Sequence, residues 1–413
     1  MGVLVVNSIL YWVTALIFRK KDGLTLFSFL WLYYAVFSVF GVILMKDDLY
    51  FSIEGVDSDA EMHIMPYIYM YFSFLLITLP LRHIRRDTIY LSPNLYNNKR
   101  ALQLCKLLLA VSVIYLCLKF YQLYLVYQIG FGLMHELDGD SMIYPGAIGW
   151  LLRILNMIGR FNIIVLMPIA VYYTIYGYLR GYLNKKLFLE VVVVFGVATL
   201  IVGAVGGSRG SMFFGIMNLT YYVVFFWNVI PRKIKRTFFI ITLAFSIVVY
   251  FIMMEITEYR FGDSMSVGDS ILSYLGQVWP NANYRIWEQP TSYPMGRRWL
   301  PFLFGTTNLD SDYWYYHSNI TGWLFHSVWG FFYTEFGEYI GFLFIILISL
   351  LFRMYLKKSR FFLYEIGVIY FFYFFSFTAI FNLALSYMDY LGWFLSFLFV
   401  VFIRHSNYKA LFV

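Results

Sequence analysis

The chain has 413 residues, 61% of them hydrophobic and 13% charged. That leaves too few charges to solvate a soluble globule of this size, so a membrane protein is expected. The net charge of +8 does not point to nucleic acid, because the basic residues fall in short clusters between apolar runs.

The first apolar run, 3–18, has no basic residue before it and no small-residue cleavage site after it. It reads as a retained span and not a removed signal peptide. A second run, 24–45, follows the basic triplet Arg19, Lys20 and Lys21. The acidic connection 46–61, with Asp57 and Asp59, leads to a third span at 62–81. Basic residues from Arg82 to Arg100 then precede a span at 103–126 that holds both cysteines, Cys105 and Cys117. Two cysteines in one apolar helix make neither a disulfide framework nor a zinc site. The connection 127–147 is acidic again, with Asp138 and Asp140, and a helix is expected to start near Pro145. On it Arg153, Asn156 and Arg160 recur at i, i+3 and i+7. This is one polar stripe, suited to a helix in the outer interface ahead of the fifth span at 161–178.

Spans at 187–205 and 211–229 are joined by Gly206-Gly207-Ser208-Arg209-Gly210-Ser211. The free N–H groups and positive pole of the following helix converge there with Arg209, which makes a physical anion site. A plain hairpin capped by Ser208 is the alternative. After a span at 237–254 comes the longest connection, 255–320, with Pro280, Pro290, Pro294 and Pro301. It interleaves Arg285, Arg297 and Arg298 with Trp279, Tyr284, Trp287, Tyr293 and Trp299. An ordered loop lying over the membrane is expected, able to hold phosphates and stack on sugar rings, or to serve as an interfacial belt.

Residues 321–352 number 32, about 48 Å as one helix at about 1.5 Å per residue. That exceeds the apolar core, so a short outer helix and a break near Gly330 or Gly337 are expected before the ninth span at 331–352. His326 and Glu335 are nine residues apart, on opposite faces of an unbroken helix, and can share a site only if the helix breaks. His317 is the other histidine near this outer end, but His326 is the first candidate for a general base. Glu335, an ionisable group at membrane depth, is the second. Spans at 361–379 and 386–403 complete about eleven. The pairs Asp57/Asp59, Asp138/Asp140 and Asp310/Asp312 could carry a divalent ion, but acidic loops contain such pairs by chance and no metal is expected.

The connections alternate in sign along the chain, and basic ones stay cytoplasmic. The N-terminus is therefore expected outside, the C-terminus inside, and 46–61, 127–147 and 255–320 outside as the working face of one domain, 1–413. Nine of the 31 basic residues escape the cytoplasmic clusters: Lys46, Lys119, Arg153, Arg160, Arg209, Arg260, Arg285, Arg297 and Arg298. Seven are arginine, whose rigid fork fits phosphate and carboxylate. Pairing with outer acids or lipid headgroups would use the same residues.

The many spans, the Gly-Gly-Ser-Arg-Gly turn and the long late outer loop resemble the Wzy-type O-antigen and oligosaccharide repeat-unit polymerases. The stretch from His326 through Glu335, Gly337 and Gly341 also looks like the His-to-Glu-x-Gly segment of the related O-antigen ligases. Arg285 and Gly296 are spaced like the arginine–glycine pattern of the polymerases' outer loops. The Arg209 turn lacks a glycine at that spacing, so the paired-loop pattern is incomplete. The resemblance implies an all-α polytopic glycosyltransferase of the GT-C class in the bacterial cytoplasmic membrane, inverting, with no metal or cofactor. Donor and acceptor would be undecaprenyl-diphosphate-linked oligosaccharides, and a chain-length-regulating co-polymerase would be a partner. Ser208, Arg209, Arg153, Arg160, Arg285, Arg297 and Arg298 would hold diphosphate and glycan, and His326 or Glu335 would act on the acceptor hydroxyl. A ligase acting on lipid A–core and a lipid-linked-oligosaccharide flippase are the competing readings, with a scaffold of the synthesis complex a third.

Overall fold

A computed structural model describes residues 1–46, 49–54, 61–84, 91, 93–129, 149–205, 218, 220–261, 266–297, 318–319, 326–357, 361–381, 398 and 402. Within them the chain forms helices α1 (Gly2–Asp22), α2 (Leu26–Lys46), α3 (Leu49–Glu54), α4 (Met65–Thr78), α5 (Pro93–Asn97) and α6 (Lys99–Ile129). Then come α7 (Gly149–Phe161), α8 (Met167–Leu179), α9 (Lys185–Val205), α10 (Arg232–Phe261), α11 (Val267–Gly276) and α12 (Val278–Asn281). Last are α13 (Ser327–Phe336), α14 (Glu338–Leu356) and α15 (Ile366–Thr378). Among the described residues, five helices are long and apolar enough to cross a membrane: Gly2–Asp22, Leu26–Lys46, Lys99–Gln128, Gly149–Leu179 and Glu338–Leu356. The chain is an all-α membrane protein. The expected span 386–403 lies largely outside the described residues, as do positions 211–217 and 219 of the expected span 211–229.

The chain divides into two compact units. The first comprises Met1–Arg85, Gly268–Lys358 and Phe372–Asp389. Here α1 ends in Arg19, Lys20 and Lys21, charges that complement the negative pole of the helix, and Gly23 at φ 71° stops it. Helix α4 tightens to a 3-10 turn over Leu79–His83, where Pro80 removes a donor. Trp31 Nε1 donates to Thr78 Oγ1 at 3.1 Å, tying α2 to α4, and Thr14 and Tyr71 hydroxyls bond at 2.8 Å between α1 and α4. Arg82 grips Asp22 with two hydrogen bonds, 2.9 and 3.1 Å. Beside it the pKa of His83 is lowered by burial and then by Arg353, Lys357 and Arg82. The ends of α1, α4 and α14 therefore gather into one basic end of this unit.

Part of the expected outer loop, 255–320, is not a loop. Helix α10 runs on to Phe261, and 267–286 is helical and packs against α2. Glycines permit that approach: a Cβ on Gly276 would lie 2.7 Å from Phe40 O, and one on Gly41 would lie 2.5 Å from the Trp279 ring. Trp279 is fully buried and donates from Nε1 to Phe37 O at 2.8 Å. It belongs to the core, not to an interfacial belt. The helix break falls at Gly337, whose φ of 82° and ψ of 178° suit glycine alone. The span expected at 331–352 accordingly falls at Glu338–Leu356. Helix α13 folds back along it, so closely that a Cβ on Gly341 would meet Phe332 O at 2.5 Å.

The second unit is Arg86–Val267, Ser359–Phe371 and Tyr390–Val413. The stripe-bearing helix α7 is not a separate interfacial helix. It continues through a π-helical stretch, Asn162–Leu166, into α8 as one 31-residue helix. It packs on α6 through Gly159, whose Cβ position would lie 2.1 Å from the Tyr115 ring. Asn162 Nδ2 donates to Leu108 O at 3.0 Å and Ser112 Oγ at 2.8 Å. Helix α9 packs along α6 and α8, and Tyr222 donates to Pro168 O at 3.1 Å.

Candidate functional site

In the first unit, away from the basic end, the start of α4, the 278–297 segment and the α13–α14 hairpin converge. Asn283 Oδ1 accepts the His63 amide at 2.7 Å and its Nδ2 donates to Glu61 O at 3.0 Å. Tyr50 donates to Asn281 Oδ1 at 2.8 Å. These bonds anchor the π-helical turn Ala282–Ile286, which carries Arg285 half-buried.

Beyond that turn lies a cluster of flat aromatic faces. Trp287 stacks on Tyr333 at 5.6 Å and on Tyr69 at 6.0 Å between centroids. Trp329 stacks on Tyr69 at 6.4 Å and lies 5.1 Å from Tyr333. Trp329 is buried at 1% exposure, whereas Tyr293 on the rim is 38% exposed. The Tyr69 hydroxyl donates to Glu338 Oε1, and the Glu288 amide donates to the Tyr333 hydroxyl at 3.1 Å. Glu288 at φ 59° and Met295 at φ 55° hold left-handed backbone, a strain that persists only where surrounding contacts enforce it.

One of those contacts is Glu335. The residue is fully buried, and its Oε1 accepts the Gly296 amide at 3.0 Å while its backbone O accepts the Met295 amide at 2.9 Å. Gly296 itself sits at φ 96°, and the turn closes with Arg297 N donating to Pro294 O at 3.3 Å. Glu335 therefore braces the turn that presents exposed Arg297.

The site residues read from sequence are distributed unevenly. His326 and Glu335 both lie buried in the first unit, His326 as the N-cap of α13, next to Ser327 at φ 58°, and Glu335 near its C-terminal end, just before the break at Gly337. Arg285 and Arg297 belong to the same unit, whereas Arg153 and Arg160 belong to the second. Ser208, Arg209, Arg298, His317 and all three Asp-x-Asp pairs lie outside the described residues. Sequence reading missed Tyr69 and Glu338, which are 269 positions apart. The only hint was a carboxylate directly after the helix-breaking Gly337.

Chemically, aromatic faces receive the apolar faces of sugar rings, carboxylates accept sugar hydroxyls, and an exposed guanidinium receives phosphate. Comparison of the chain with protein-family models, with curated proteins and with solved structures gives no match.

Proposed function

We propose that the chain is a polymerase of polyprenyl-diphosphate-linked oligosaccharide repeat units, with about eleven spans and a GT-C-like architecture in the bacterial cytoplasmic membrane. The observation that carries this reading is the Glu335–Gly296 hydrogen bond. It joins the glycine of the arginine–glycine spacing to the glutamate of the His-to-Glu segment, beside stacked aromatics of sugar-binding type. The positive-inside rule assigns the basic end to the cytoplasm and the aromatic end to the outer face, with the N-terminus outside.

In the proposed reaction the acceptor hydroxyl attacks the anomeric carbon of the growing glycan. The bond from that carbon to the lipid diphosphate breaks, and the diphosphate leaves with the bonding electron pair. The hydroxyl proton passes to a base, His326 being the first candidate. Arginines stabilise the charge developing on the diphosphate. Purified full-length protein in liposomes, supplied with lipid-linked repeat units alone, is expected to yield a ladder of longer glycans. Arg209→Lys, which keeps the charge and loses the fork, should suppress that ladder by tenfold or more, about the contribution of one charge-assisted contact. Consumption of the donor only when lipid A–core is added would replace this reading with a ligase, and movement without elongation would replace it with a flippase.

A further inference from the structure

The second unit contains a cavity for which the proposed glycan transfer has no use. It lies between α8, α9, residues 222–230 and the start of α10, lined among others by Val171, Ile175, Phe188, Val192, Ile230 and Lys235. Contacts inside the unit set its walls. Tyr178 lies flat on Phe188 with ring centroids 4.6 Å apart, and the Tyr222 hydroxyl is turned to Pro168 O at 3.1 Å. Helix α8 lines the cavity from Val171 to Leu179, about 12 Å at about 1.5 Å per residue. That is most of one leaflet, since the whole hydrocarbon core is about 30 Å thick. A volume of about 80 Å³ over that length makes a narrow slot. It takes one hydrocarbon chain and is too thin for a sugar ring or another helix.

Among the described residues, Lys235 is the one charged side chain lining the slot. It is half-buried, whereas Arg232, Lys233 and Arg236 in the same stretch are exposed. Its ammonium stands 4.3 Å from the ring centroid of Trp227, which is 37% exposed. Tryptophan and lysine together mark headgroup depth, so the slot leads from the headgroup layer into the apolar core.

Charge narrows the occupant further. The connections at this end, 180–186 and 231–236, hold seven Lys or Arg and no acid. The first turn of α10 has no acid either, and Lys186 pairs with Glu190 at 4.0 Å. The remaining counter-charge comes from outside the protein, and anionic headgroups supply it. Six of the seven cations suit any anionic membrane surface. Lys235 differs, because it joins that surface to a slot shaped for a chain.

We infer that the slot between α8, α9 and the start of α10 binds one acyl chain of an anionic phospholipid, whose phosphate is held at Lys235. The lipid is a structural ligand of the second unit, separate from any substrate of the first.

The test is photocrosslinking of the full-length protein in phosphatidylcholine liposomes. The probes are phosphatidylglycerol and phosphatidylcholine, each with a diazirine on one acyl chain, and adducts are mapped to peptides by mass spectrometry. Phosphatidylglycerol is expected to label the slot-lining residues of α8 and α9 saturably and in preference to phosphatidylcholine, and unlabelled phosphatidylglycerol should compete. Val192→Trp fills the slot and should abolish that labelling while leaving adducts elsewhere. If Val192→Trp fails to insert, the Lys235 variants decide. Lys235→Met should lower the preference for phosphatidylglycerol about fivefold, the contribution of one lysine at an anionic surface, and Lys235→Arg should keep it. Equal, uncompeted labelling by both lipids would mark an ordinary lipid-facing surface and overturn the inference. Adducts confined to other helices, full labelling of well-inserted Val192→Trp, or an unchanged preference in Lys235→Met would overturn it too. No arm needs a glycan, so the outcome is independent of whether the chain elongates one.

Discussion

Glu335 can be a base or a brace, and two substitutions separate the roles. The buried carboxylate accepts the Gly296 amide at 3.0 Å, and its own carbonyl accepts Met295 N at 2.9 Å. Glutamine keeps a carbonyl oxygen where Oε1 stands, so Glu335→Gln preserves the side-chain bond in neutral form. Alanine removes it and leaves a buried N–H unpaired. A hydrogen bond to a charged group contributes about 1.5–3 kcal/mol, and the neutral form retains roughly half of that. If Glu335 holds the turn, Glu335→Ala should therefore lose roughly 10- to 100-fold in elongation, and Glu335→Gln no more than about tenfold. The pH profile of the Gln variant should match that of the parent. A general base contributes 10²–10⁴-fold by its proton transfer, a loss Gln would suffer as fully as Ala. The assay is glycan elongation in liposomes across a pH series, with insertion checked by size exclusion. A fall of about 10²–10⁴-fold in well-inserted Glu335→Gln, with a flattened pH profile, would refute the bracing role.

Trp329→Ala should raise the KM for lipid-linked glycan about two- to tenfold, the magnitude of one aromatic contact, whereas Trp329→Phe should restore most of it; an unchanged KM would remove the aromatic cluster from the site. Gly276→Leu must force a side chain against Phe40 O, where even a Cβ would lie at 2.7 Å. It should lower stability by about 1–3 kcal/mol, read as a fall in Tm, and an unaltered Tm would contradict the close packing of α11 on α2. In a background lacking Cys105 and Cys117, an impermeant maleimide should label Tyr339→Cys from outside the cell and not Lys357→Cys. These residues mark the two ends of α14, and labelling in the reverse order would invert the orientation. His326→Ala is expected to stop elongation while donor binding persists; normal elongation would remove it as the base.

The spans were legible in the sequence because a lipid-facing helix must be apolar over its own length, a property its local residues carry. The runs at 3–18, 24–45 and 103–126 became α1, α2 and α6 with their ends moved by a few residues. A break at Gly330 or Gly337 was legible for the same local reason, since a helix longer than the apolar core must bend and glycine bends most cheaply; that it falls at Gly337 was not. Burial of 267–286 was not legible. Its prolines and aromatics look like a surface loop, and only the facing glycines Gly41 and Gly276 let it reach the core. The role of Glu335 was hidden too: its partner, Gly296, is 39 residues away, and nothing local specifies that approach. Lys119 could be counted as a misplaced cation from sequence alone, but its burial depends on the register of α6 against α7. Local composition decided which segments enter the membrane. Which polar side chains meet there was decided by close packing between helices remote in sequence.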